Sequence, residues 1–210
     1  MSHYRTSFWL NGLFLLMLIG LVAYVKSAGL SAKALFLHPE TYPHFTVASL
    51  THLFQMLSGV PPIICWFTYG LLRSVRSEGS RAETRFILAS ALVTSGFWLN
   101  EIYRIHIYLS IVGIGKPVVI LIYAITLAIY ALSFRKQLLS TPYPILLTGV
   151  GILFVGIFID ALQLPDQNLT DFLEGIPKVL SQLNVAYYFW CVCRQAMRPF
   201  PKTAPSILTG

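Results

Sequence analysis

Residues 86–108, FILASALVTSGFWLNEIYRIHIY, form an apolar run of membrane-crossing length that closes on Asn100, Glu101, Arg104 and His106. The Leu, Ile, Val and Phe positions of such a run are interchangeable with other apolar residues. The polar ones are not, because an ionisable side chain in hydrocarbon costs several kcal/mol and is kept mainly where it does something. The run therefore predicts a transmembrane helix and, at its end, a candidate site.

Five further apolar runs flank it, at about 8–25, 45–72, 118–134, 144–160 and 177–194. The whole chain is 56% hydrophobic and 11% charged, against about 25% charged in a soluble domain. The polar stretches between the runs are too short to bury a core of their own. The expected architecture is thus a single all-α domain over 1–210, a bundle of six transmembrane helices. The first run reads as a membrane helix rather than a signal peptide, since its apolar part is long and no small-x-small site closes it. Pro61 and Pro62 predict a kink or break in the second helix. Residues 32–37 are expected to lie as a short amphipathic turn at the interface.

The net charge of +7 does not mark a nucleic-acid binder, because Lys and Arg sit in short clusters at the ends of apolar runs. An even number of crossings puts both termini on one side. With that side inside, ten of the fifteen Lys and Arg fall there, and the positive-inside rule makes both termini cytoplasmic. The lipid bilayer is the implied partner, in a bacterial inner (plasma) membrane. A homo-oligomer or a larger membrane complex would add protein partners, and abundant glycine suits close helix packing. Cys65, Cys191 and Cys193 all fall inside apolar runs. Their spacing predicts neither a disulfide framework nor a metal pair, and reactive-thiol chemistry draws no support from it.

Six of the eight acids fall on the outer half. At a rise of about 1.5 Å per residue, a third helix leaving the membrane near Tyr108 puts Glu101 about 10 Å deep and His106 about 3 Å deep. A second helix entering near Phe45 puts His52 about 10 Å deep. Asp160 closes the fifth run, and Glu174 and Lys178 flank the start of the sixth. The candidate ligand- or ion-binding set is therefore Glu101, Arg104, His106, His52, Asp160, Glu174 and Lys178. Part of it has a plain structural reading: Glu101 with Arg104, and Glu174 with Lys178, have helical ion-pair spacing.

Three chemistries suit such a set. One is an ion or proton relay, since a membrane carboxylate and an imidazole titrate near neutral pH. Another is sensing of a small ligand over a floor of polar groups walled by Trp98, Tyr103, Tyr108, Tyr187 and Tyr188. The third is zinc held by His52, His106, Asp160 and Glu101, activating water in a membrane hydrolase, although no HxxxH or HExxH spacing is present. Haem between His52 and His106 is a further alternative, disfavoured by their different depths. No cofactor is favoured, and no residue is assigned a catalytic role.

Asn100-Glu101 followed after four residues by His106, then Asp160, then Glu174-Gly-Ile-Pro-Lys178 ahead of Tyr187-Tyr-Phe-Trp190, resembles a loose group of small bacterial multi-spanning proteins of unassigned function. The resemblance covers roughly the last half of the chain. It departs at Asn100, where an acid is expected, and in the intervening Arg104. It implies that these positions act as one constellation. A fold-level analogy extends to seven-helix hydrolases of the ceramidase and adiponectin-receptor type, whose histidine spacing this chain lacks. The function read from the sequence is a non-enzymatic ion-, proton- or small-ligand-responsive membrane protein. A metal-dependent hydrolase and a non-catalytic assembly subunit are the alternatives.

Overall fold

Apolar side chains on most faces of each long segment, with Gly and Pro confined to a few positions, favour helices that bury little of their surface in one another. The computed structural model describes residues 2–29, 32–36, 46–75, 81–161 and 167–197. Among the described residues there are eight α-helices and no strand. They are α1 (Ser2–Ser27), α2 (Ser49–Val75), α3 (Arg81–Tyr103), α4 (Ile105–Ile111), α5 (Lys116–Ser133), α6 (Arg135–Ser140), α7 (Tyr143–Ala161) and α8 (Gln167–Ala196), with a 3-10 turn at Ala32–Leu35. Among the described residues α1, α2 and α3 are long and apolar enough to cross a membrane, and α5 and α7 carry shorter apolar stretches.

The helix ends differ from the sequence expectation in three places, each with a physical cause. First, α2 runs unbroken through Pro61 and Pro62. Both prolines are buried, so packing holds the turn that their missing N–H groups weaken. Second, the run 86–108 is not one helix. It stops at Tyr103, and Arg104 turns left-handed (φ 48°) before α4 begins. Third, α8 begins ten residues before Pro177 and carries that proline in its interior. The segment 32–36 forms a short turn packed on the bundle. Its Ala34 and Leu35 are buried, and the Ala48 N–H donates to the Ala34 carbonyl at 2.9 Å. Between α4 and α5, Gly113 is left-handed (φ 88°) and Pro117 stands in the first turn of α5.

Helix α8 is the spine, packed against α7 and α2, and α2 packs in turn against α3. Close approach is set by glycine. A Cβ on Gly59 of α2 would lie 2.9 Å from the Trp98 indole of α3. One on Gly149 of α7 would lie 3.1 Å from the Ser181 carbonyl of α8. Two apolar clusters occupy opposite ends of the bundle. Cys65, Leu72, Phe86, Ile87, Tyr130, Ile145, Tyr188 and Val192 make one. Leu18, Val25, Leu35 and Leu50 make the other, with Phe36 and Ile176 against it. The start of α1 lies beside the end of α8, where His3 Nδ1 is 3.6 Å from Cys191 Sγ.

Candidate functional site

The polar segment of α3 ends at a break rather than inside a helix. Asn100 is buried, at 5% exposure, and its Nδ2 donates to Glu101 Oε1 at 3.4 Å. Glu101 is half-buried. One turn earlier on the same helix, Phe97 stacks on Tyr123 of α5 at 4.6 Å. The amide and carboxylate thus sit at the α3–α5 seam. Directly after Tyr103, the last residue of α3, the exposed Arg104 adopts its left-handed conformation, a geometry that L side chains resist. Helical i, i+3 spacing therefore does not set the geometry of Glu101 and Arg104. With α3 ending at Tyr103, Glu101 lies two residues, about 3 Å along the axis, before the helix end.

The remaining sequence-derived positions gather at the same end of the bundle but on separate helices. Helices α2 and α3 run antiparallel, with Gly59 against Trp98 and Trp66 Nε1 donating to Ser95 Oγ at 3.0 Å. That register sets His52 level with the α3–α4 break, and its ring is exposed. Lys178 is half-buried on α8, just past Ile176, which packs on the cluster of Leu18, Val25, Leu35 and Leu50. The backbones of His106, Asp160 and Glu174 belong to α4, α7 and α8, and their side chains lie outside the described residues. Among the described residues no three His, Cys, Asp or Glu side chains converge. The zinc and haem alternatives also need His106 or Asp160, whose side chains lie outside that set. The five aromatics do not share one wall. Tyr103 and Tyr108 point outward, while Tyr188 is buried toward the opposite end with its hydroxyl 2.9 Å from Thr141 Oγ1.

The structure also assembles polar groups that reading the sequence passed over. Asn184, 1% exposed, exchanges amide hydrogen bonds with Asn11: Asn184 Nδ2 donates to Asn11 Oδ1 at 2.8 Å, and Asn11 Nδ2 donates to Asn184 Oδ1 at 2.9 Å. Ser7 Oγ donates to the same Asn184 oxygen at 3.0 Å. This clasp joins α1 to α8. Ser90 and Tyr130 hydroxyls meet at 2.7 Å between α3 and α5. Cys65 and Cys193, 128 residues apart in sequence, bring their sulfurs to 3.8 Å between α2 and α8. An asparagine inside each of two apolar runs was the available signal for the clasp. Cysteine spacing along the chain carried none for the thiol pair.

A family profile described as a domain of unknown function, DUF8692, matches residues 13–192. Comparison with curated proteins and with solved structures returns no match. The match runs from the middle of α1 to near the end of α8 and so takes in the Asn184 end of the clasp, Cys65 of the thiol pair and the α3–α4 break. The helical bundle and the polar seam around Glu101 are therefore features of a chain that belongs to the DUF8692 family.

Proposed function

We propose that this chain is a polytopic membrane protein with six crossings (α1, α2, α3, α5, α7 and α8) and both termini in the cytoplasm. Helices α5 and α7, of 18 and 19 residues, extend about 27–29 Å, close to the roughly 30 Å of a bilayer core. The neighbouring His3 and Cys191, at 3.6 Å, support termini on one side. The excess of Lys and Arg at that end supports the cytoplasmic assignment, and a bacterial inner membrane is the setting that suits it.

Its function in this reading is to respond to an ion, a proton or a small polar ligand at the outer end of the bundle, without catalysis. Glu101 is the centre of the site. Arg104, His52, His106, Asp160, Glu174 and Lys178 form its rim. The observation that carries the reading is the buried Asn100 beside the half-buried Glu101 at a helix break. Irregular backbone at the edge of hydrocarbon is tolerated where it lines a polar space. A carboxylate and an amide oxygen held there are hard donors, suited to a cation or proton.

Thermal unfolding of the detergent-purified protein, with protons and mono- and divalent cations as titrants, tests it. The wild type should gain stability as one titrant is raised, by about 2.7 kcal/mol at a hundredfold excess over its dissociation constant. Glu101→Gln should remove that gain and leave the unliganded melting temperature unchanged. A gain that survives in Glu101→Gln, or a wild type indifferent to every titrant, would contradict the proposal.

A further inference from the structure

Among the described residues, two cysteine sulfurs from different helices meet at the α2–α8 contact. Cys65 is 0% and Cys193 2% exposed, and their Sγ atoms stand 3.8 Å apart. Thr68, on the α2 turn after Cys65, is buried as well. Tyr130 and Tyr188 pack in the same cluster. A disulfide needs the sulfurs at about 2.05 Å, so closure requires an approach of about 1.8 Å, within reach of small side-chain rotations at both residues. Cys191, two residues from Cys193, faces His3 instead and has no sulfur partner among the described residues.

We infer that Cys65 and Cys193 form an oxidisable dithiol inside the bundle, converted to an α2–α8 disulfide by apolar hydroperoxides. Burial selects the oxidant. A charged disulfide of the glutathione type has no route to sulfurs without exposed surface, whereas a lipid-like hydroperoxide dissolves in the surrounding apolar phase. Cys193 sulfur attacks the terminal peroxide oxygen. The O–O bond breaks, the Cys193 proton passes to the departing alkoxide, and an alcohol leaves behind a Cys193 sulfenic acid. Cys65 sulfur then attacks Cys193 sulfur, and hydroxide leaves with the Cys65 proton as water. Two thiols lose two electrons, which the peroxide gains. The product ties α8, the spine of the bundle, to α2.

Membranes holding the full chain are treated with cumene hydroperoxide, denatured, labelled with N-ethylmaleimide and mapped by peptide mass spectrometry. A cross-linked peptide pair joining Cys65 to Cys193, lighter by two hydrogens, is expected. Maleimide labelling of both should fall together by at least tenfold, while Cys191 stays labelled. Diamide, a polar oxidant, should produce the same link far more slowly. Cys191→Ser should leave the link intact. Separate oxidation of Cys65 and Cys193 to sulfinic acids, labelling of both equal to that of Cys191, or faster linkage by diamide than by the hydroperoxide would overturn the inference. The wild-type map alone decides it, so the result does not depend on a variant folding.

Discussion

Asn184 shows how much a single side chain does in a bundle that buries few polar atoms. It donates once to Asn11 and once to the Leu180 carbonyl at 2.8 Å, and it accepts from Asn11 and Ser7. Asn184→Ala should destabilise the protein by about 1–2 kcal/mol, the range for interhelical hydrogen bonds in membranes. Asn11→Ala should cost less on top of Asn184→Ala than alone, and unfolding of the double-mutant cycle in detergent measures the coupling. Gly59 carries a steric prediction. Gly59→Ala puts a methyl 2.9 Å from the Trp98 ring and should cost about 1–3 kcal/mol. Gly70→Ala, on the same helix with open space around it, should change the unfolding midpoint little. At this scale the sequence was least informative. Glu101 stood out because acids are rare in apolar runs. Asn11, Asn184, Cys65 and Cys193 acquire meaning only from partners more than a hundred residues away, and no local pattern encodes that distance.

Between residues and the whole bundle, helix existence was legible and helix ends were not. Each long apolar run is helical over most of its described length, with 86–108 divided between α3 and α4, because hydrophobic length is a strong signal. The end of α3 was hidden because its left-handed residue is Arg104 rather than the glycine that usually marks such a position. Pro177 misled in the opposite sense, since a proline suited to a first turn lies inside α8. The break at Arg104 has a measurable energy. Arg104→Gly should hold or raise stability by up to about 1–2 kcal/mol, the left-handed penalty for a residue with a Cβ. Arg104→Val should lower it, because a branched Cβ fits that region worst. Melting temperatures of the two variants, falling on opposite sides of the wild type, would establish that α3 and α4 are separate helices. The same break places Glu101 two residues before the end of α3.

For the molecule as a whole, the account stands on how often the chain crosses the bilayer and on which side it begins and ends. Composition pointed to a membrane, and α1, α2 and α3 are long and apolar enough to cross one. The pairing of His3 with Cys191 and the clasp of Asn11 with Asn184 hold the two outermost helices together at one end. Everything proposed for the polar seam requires that end to be the one opposite Glu101. The most direct test fuses the chain in turn to alkaline phosphatase and to green fluorescent protein within 28–31, 76–80, 112–115, 134–142 and 162–166, and after 197, segments that separate or follow the long helices. The account expects phosphatase activity at the first, third and fifth positions. It expects fluorescence at the second and fourth and at the C-terminal end. Loss of that alternation at α5 or α7, or phosphatase activity at the C-terminal end, would contradict six crossings with cytoplasmic termini and would remove the outer-face site with them.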